Sequence, residues 1–256
     1  MESIGYNVVF LFIAGMGTAL ACGLGTIPVF LLGDRIDAWR PALWGLAAGL
    51  MVVASVEGLF QPALRSGEMG QTVLGLLIGV GFVLVTHRLM HSREVKVQGL
   101  RGADVSRSAL IFVVLLIHGL PEGMAIGAAQ ASAVEGLNVF IIVAIALHHL
   151  PEGAVVAIPM ASAGFRKQTQ FWAAVLTSAP EPIGAPLAYL LVDRVTLLLP
   201  VTLAIAGGAM LAAVVLELAP EALSPGTWRK GSAGMLAGGA IMVALSTVLG
   251  VTQIGG

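Results

Sequence analysis

Eight stretches of this chain are long and apolar enough to cross a bilayer as helices, each of which needs about 20 mainly apolar residues. They fall at roughly 7–32, 41–64, 69–90, 109–131, 136–160, 169–192, 198–219 and 231–254. Between them lie short segments with turn and charge signals, among them Gly33-Asp34-Arg35, Arg65-Ser66-Gly67-Glu68, Gly164-Phe165-Arg166-Lys167, Asp193-Arg194 and Ser224-Pro225-Gly226. Strands of a membrane barrel would be about 10 residues long and alternate in polarity, and nothing here alternates. Charged residues make up 11% of the 256, whereas a soluble domain carries about 25% and needs them to face water. The expected fold class is an all-α integral membrane protein of eight transmembrane helices, forming one membrane domain over 1–256. The start Met1-Glu2-Ser3 has neither a basic region nor a small-residue cleavage site, so the first span is expected to be a retained helix.

The basic residues orient the spans. Arg35 and Arg40 follow the first span, and Arg88, Arg93, Lys96, Arg101 and Arg107 cluster between the third and fourth. Arg166 and Lys167 follow the fifth and Arg229 and Lys230 the seventh, which leaves only Arg65 and Arg194 on the opposite side. By the positive-inside rule both termini lie outside the cytoplasm, and the basic segment at about 91–108 is a cytoplasmic loop. An even number of spans is what termini on one side require. The compact, targeting-free chain points to a prokaryotic inner (plasma) membrane. Net charge −1 gives no electrostatic footprint for nucleic acid, and the single Cys22 excludes a disulfide framework or a cysteine metal cage. Cys22 reads as a small core hydrophobe.

Most acidic residues sit in loops, but Glu57, Glu122, Glu152, Glu181 and Glu217 lie within spans, with Glu221 near the end of the seventh. His118, His148 and His149 are equally deep. A charged side chain at the bilayer centre costs roughly 2.5–3.5 kcal/mol, so such groups persist mainly in bundle interiors with a function. No Lys or Arg is placed at comparable depth, so this set of carboxylates and imidazoles needs protons or a cation for balance.

Spacing favours the cation. The fourth span holds His118-Gly119-Leu120-Pro121-Glu122-Gly123 and the fifth His148-His149-Leu150-Pro151-Glu152-Gly153. Residues four apart share a helix face, so His118 with Glu122 and His148 with Glu152 are two-point ligand pairs. Consecutive spans run antiparallel, which lets the two pairs face each other near the midplane. Two imidazoles and two carboxylates suit Zn²⁺ and are acceptable to Fe²⁺, Mn²⁺, Co²⁺, Ni²⁺ or Cd²⁺. Pro121 and Pro151 remove the hydrogen bonds to the Ile117 and Leu147 carbonyls and are expected to break both helices. Such breaks in lipid belong beside protein, water or an ion pathway.

Elsewhere the signals are softer. Pro180-Glu181-Pro182 and Pro186 mark another broken helix, where Glu181 is either a bridging ligand or a hydrogen-bonded acid. Glu217 and Glu221, again four apart, and Glu57 are pathway candidates; Met51, near Glu57, reads first as a packing residue. His87 and His91, at the edge of the basic loop, read either as a metal exit on the cytoplasmic side or as a solvated helix end.

On these residues the chain resembles the ZIP (Zrt/Irt-like protein) family of divalent-metal transporters, in its prokaryotic GufA-like branch. The two HxLPEG runs carry the resemblance, which extends through Glu181 to the Pro-Glu end of the seventh span and so over essentially the whole chain. It implies an importer of Zn²⁺, or of Fe²⁺, Mn²⁺, Co²⁺ or Cd²⁺, with a transport site between the fourth and fifth helices. It also implies a three-plus-two-plus-three bundle with inverted pseudo-symmetry, often a homodimer, in which helices one, four, five and six move together. A first ion would fall to His118, Glu122, His148 and Glu152. A second would use His149 and Glu181 and share Glu122 and Glu152, and Met51 would occupy a gating position. Two departures stand out. The family usually has Asn after the first histidine where this chain has Gly119, and its often His-rich intracellular loop is here short, with His91 and, at the edge, His87.

Two other classes compete. A proton-coupled carrier of an organic solute has little use for histidines paired with acids. An intramembrane metallohydrolase wants HExxH, and a serine hydrolase GxSxG; neither motif occurs. The metal ion is therefore read as cargo and the chain as a non-enzyme with no catalytic cofactor.

Overall fold

Inside lipid every backbone N–H and C=O needs a partner within its own segment or an adjoining one, which leaves helices as the spanning form for these apolar stretches. The computed structural model describes residues 2–91 and 103–251. Among them are eight helices of membrane-crossing length and apolarity: α1 (Ile4–Leu32), α2 (Arg35–Ser66), α3 (Met69–Leu89), α4 (Ser108–Ala131), α5 (Leu137–Ser162), α6 (Lys167–Arg194), α7 (Thr196–Ala222) and α8 (Trp228–Val248). No strand occurs among the described residues. The expected loop at 91–108 falls largely on 92–102, outside the described residues, as does the side chain of His91.

α1, α4, α5 and α6 pack on one another; α2 packs on α8 and α5, and α7 on α3 and α4. Exchanging α1 with α6, α2 with α7, α3 with α8 and α4 with α5 maps these pairings onto themselves. In each exchange the helices are an odd number of spans apart and run in opposite senses. That is an inverted three-plus-two-plus-three arrangement, with α4 and α5 at its centre.

The expected breaks at Pro121 and Pro151 are absent: α4 and α5 run through both prolines as continuous helix. A proline inside a buried transmembrane helix forfeits one backbone bond, and close neighbours can make that good without a break. Irregularity appears instead in the helices around them. α1 is interrupted at Gly25-Thr26 ahead of Pro28, and α6 between Thr177 and Glu181 around Pro180. α2 and α7 each widen into a π-helical turn, at Val56–Phe60 and Val214–Leu218. In both, the N–H that follows the turn bonds five residues back, Gln61 to Val56 and Ala219 to Val214. Pro62 and Pro220 come immediately after, so the wider turn relieves the clash a proline ring makes with the preceding turn.

α8 ends at Val248 rather than near 254. Gly250 takes the left-handed conformation (φ 69°), and the N–H of Val251 bonds back to the Ser246 carbonyl at 3.0 Å, which closes the helix.

Candidate metal site

The i, i+4 spacing in α4 and α5 sets Glu122 and Glu152 one turn from His118 and His148, as the helical pitch requires. His118, His148, His149, Glu122, Glu152 and Glu181 are all buried in the bundle. Glu181 enters from the first turn after the α6 break.

Among the described residues, Glu122, His148, His149 and Glu152 converge, each offering a ligand atom within 4.8 Å of the others. Glu122 is the bridge: Oε1 lies 3.1 Å from His148 Nε2 and Oε2 3.3 Å from His149 Nε2. His149 Nε2 also lies 3.4 Å from Glu181 Oε1 and 3.8 Å from Glu152 Oε2.

The far side of each imidazole fixes its chemistry. His148 Nδ1 lies 3.0 Å from the Ala144 carbonyl, and His149 Nδ1 3.0 Å from the Thr18 carbonyl. A carbonyl only accepts, so Nδ1 carries the proton and a neutral ring turns its Nε2 lone pair toward the carboxylates. Lone pairs of Nε2 and of ionised carboxylates at 3.1–3.4 Å need a cation between them, a proton or a metal ion. Donors about 2.0–2.1 Å from a tetrahedral metal stand about 3.3 Å from one another, which these separations match. Anchoring of the outer imidazole nitrogen by a carbonyl is also the usual support of a metal-binding histidine.

His118 lies outside this quartet. Its Nδ1 bonds to the Val114 carbonyl at 2.7 Å, and its Nε2, buried without a hydrogen-bond partner, is 3.9 Å from Glu217 Oε2. Glu217, Glu221 and His87 line one cavity of about 210 Å³ with Val114 and Trp44, so three of the softer candidates share a space that begins beside His118. Met51 is buried in the main apolar core, its carbonyl accepting from the Ser55 hydroxyl. Glu57 sits in the π-helical turn of α2, with Oε2 buried and without a hydrogen-bond partner. Gly119 faces the α6 break; a Cβ there would stand 3.2 Å from Pro180 Cδ and 3.3 Å from the Thr177 carbonyl.

A family model described as ZIP Zinc transporter matches residues 86–246, well over half of the chain. This chain belongs to the ZIP family. Among its ZIP relatives, the zinc transporter GufA of Myxococcus xanthus is 31% identical over 249 residues, covering 93% of this chain and 98% of the relative. The zinc transporter ZIPB of Bordetella bronchiseptica is 30% identical over 265 residues, 96% of this chain and 82% of its own. A putative zinc transporter of Arabidopsis thaliana is 29% identical over 251 residues, and there the match covers 96% of this chain but 40% of the relative.

In this ZIP chain Thr18 touches two of these side chains, its carbonyl 3.0 Å from His149 Nδ1 and its hydroxyl donating to Glu181 Oε2, and the sequence does not advertise it. The only trace is a hydroxyl in mid-span beside Gly15 and Gly17, on a helix with no acidic or basic residue at that depth.

Proposed function

We propose that this chain carries a divalent transition-metal ion, zinc foremost, through the membrane into the cytoplasm by way of the Glu122–His148–His149–Glu152 cluster. One observation carries the reading: His148 and His149 both turn Nε2 toward the two oxygens of a single buried carboxylate, Glu122, with their Nδ1 protons spent on carbonyls. Imidazole nitrogen with carboxylate oxygen is a borderline donor set that suits Zn²⁺ and admits Fe²⁺, Mn²⁺, Co²⁺, Ni²⁺ and Cd²⁺. Glu181, 3.4 Å from His149, extends the cluster and gives a second ion a ligand.

The ion sheds water for these ligands, then passes His118 and Glu217 into the cavity lined by His87 and Glu221. The basic residues that follow α1, α3, α5 and α7 support a cytoplasmic side for that cavity and the opposite side for both termini, by the positive-inside rule. The path lies within one membrane domain. Membership of a transporter family weighs against the metallohydrolase, and the paired imidazoles against an organic-solute carrier.

The test is uptake of Zn²⁺ and Cd²⁺ into proteoliposomes by the wild type, His148→Ala and Glu152→Ala. Flux should collapse in both variants; wild-type flux in both would overturn the site assignment.

A further inference from the structure

The ligand-bearing side chains come from α4, α5 and α6, yet two of them are held from α1. His149 Nδ1 bonds to the Thr18 carbonyl at 3.0 Å, and the Thr18 hydroxyl donates to Glu181 Oε2 at 2.5 Å. We propose that Thr18 is a positioning residue for the transported ion, its carbonyl and hydroxyl together orienting His149 and Glu181 and so assembling that half of the site from α1.

His148 and His118 each rest Nδ1 on a carbonyl four residues back in their own helix, Ala144 and Val114. Their ring orientation is therefore set locally and survives small shifts between helices. His149 differs, because its support comes from another helix. Its Nε2 points at Glu122, Glu152 and Glu181 only while α1 stays in register with α5.

The hydroxyl makes a choice as well. A helical threonine commonly gives its proton to a carbonyl three or four residues back. Gly15 and Ala14 offer such acceptors at 2.9 and 3.3 Å, but Glu181 Oε2 is nearer at 2.5 Å, within the range for a hydroxyl on a carboxylate. Holding Oε2 leaves Oε1, which has no hydrogen-bond partner, facing His149 Nε2 at 3.4 Å. Each ligand thus has one end held by Thr18 and the other offered to the ion.

Packing keeps Thr18 in place. A Cβ on Gly15 would stand 2.8 Å from the Cα of Pro182, and one on Gly25 would overlap the Leu150 carbonyl. α1 therefore lies directly on both the α6 break and the α5 motif, with Thr18 between the two contacts.

The proposal rests on the metal-site reading above, and the experiment separates the two. Zn²⁺ is titrated calorimetrically into full-length purified wild type, Thr18→Val, Thr18→Ala, Thr18→Ser and Glu122→Gln, with a melting curve for each. Valine keeps the branched shape and the carbonyl and removes only the hydroxyl. Thr18→Val and Thr18→Ala should weaken binding by about 10–100-fold, the usual effect of losing a supporting hydrogen bond, and Thr18→Ser should return to within about threefold of wild type. Wild-type affinity in the folded Val or Ala variant overturns the role. So does a serine variant as weak as valine, since the methyl rather than the hydroxyl would then matter. If Glu122→Gln also binds like wild type, the metal-site reading itself fails; if Glu122→Gln alone loses binding, only the role of Thr18 does.

Discussion

The carbonyl oxygen of Cys22 occupies the space from which a side chain on residue 153 would grow. Gly153 follows Glu152 in the second motif, so the absence of a Cβ lets α1 close on α5 beside a ligand. Gly153→Ala has to push the helices apart, with an overpacking cost of about 1–3 kcal/mol. We expect a lower melting temperature in detergent and little Zn²⁺ flux. Gly17→Ala, whose Cβ would meet nothing within 4 Å, is the matched control and should change neither. Equal melting curves for the two variants would refute the close contact.

Among the described residues, Glu122 is the carboxylate within 3.3 Å of both the His148 and the His149 imidazole. Glu122→Gln keeps the shape but replaces one oxygen by an NH₂ donor, which faces a lone pair usefully and a metal ion not at all. Losing a supporting residue typically costs 10–100-fold in metal affinity, so loss of a bridging ligand should cost about 100-fold or more. Calorimetric titration reads this directly, and a change below about threefold would remove Glu122 from the ligand set.

The span count and the twin motifs are legible in the sequence because each is local. Twenty apolar residues announce a span without regard to neighbours, and residues four apart share a face in any helix. What the sequence conveys poorly depends on how helices are rotated against one another. His148 and His149 stand about 100° apart on the α5 surface, and only packing against α1 and α4 brings both onto Glu122. The same packing turns His118 toward Glu217. Thr18 escapes notice because its contribution is half backbone. The prolines mislead in the opposite direction: Pro121 and Pro151 look like breaks, but the helices are interrupted or widened elsewhere, near Pro28 and Pro180 and in the turns before Pro62 and Pro220.

Acidification should oppose loading. Binding requires neutral imidazole and ionised carboxylate, so the ion displaces whatever protons the cluster holds and releases them. Transport should therefore fall as the metal-loading side is acidified from about pH 8 to pH 5. A fluorescent pH indicator in weak buffer should report proton release when Zn²⁺ is added. Flux that stays level across that range, with no proton release, would count against ionisable ligands.

Glu217 lines the cavity together with His87 and Glu221, and its Oε2 is 3.9 Å from His118 Nε2. If His118 and Glu217 pass the ion onward rather than hold it at rest, His118→Ala and Glu217→Gln should separate binding from transport. Equilibrium Zn²⁺ affinity should stay within about threefold of wild type, while flux falls about tenfold, the effect of some 1.4 kcal/mol on the slowest step. The spacing of His118 and Glu122 on one face allows the other outcome. A His118→Ala variant that loses equilibrium binding as completely as Glu122→Gln would make His118 a resting ligand, and α4 would then have to rotate to bring it there. Measuring affinity and flux on the same preparations distinguishes the two, because loss of a resting ligand lowers occupancy, whereas loss of an exit-path residue lowers flux and leaves occupancy unchanged.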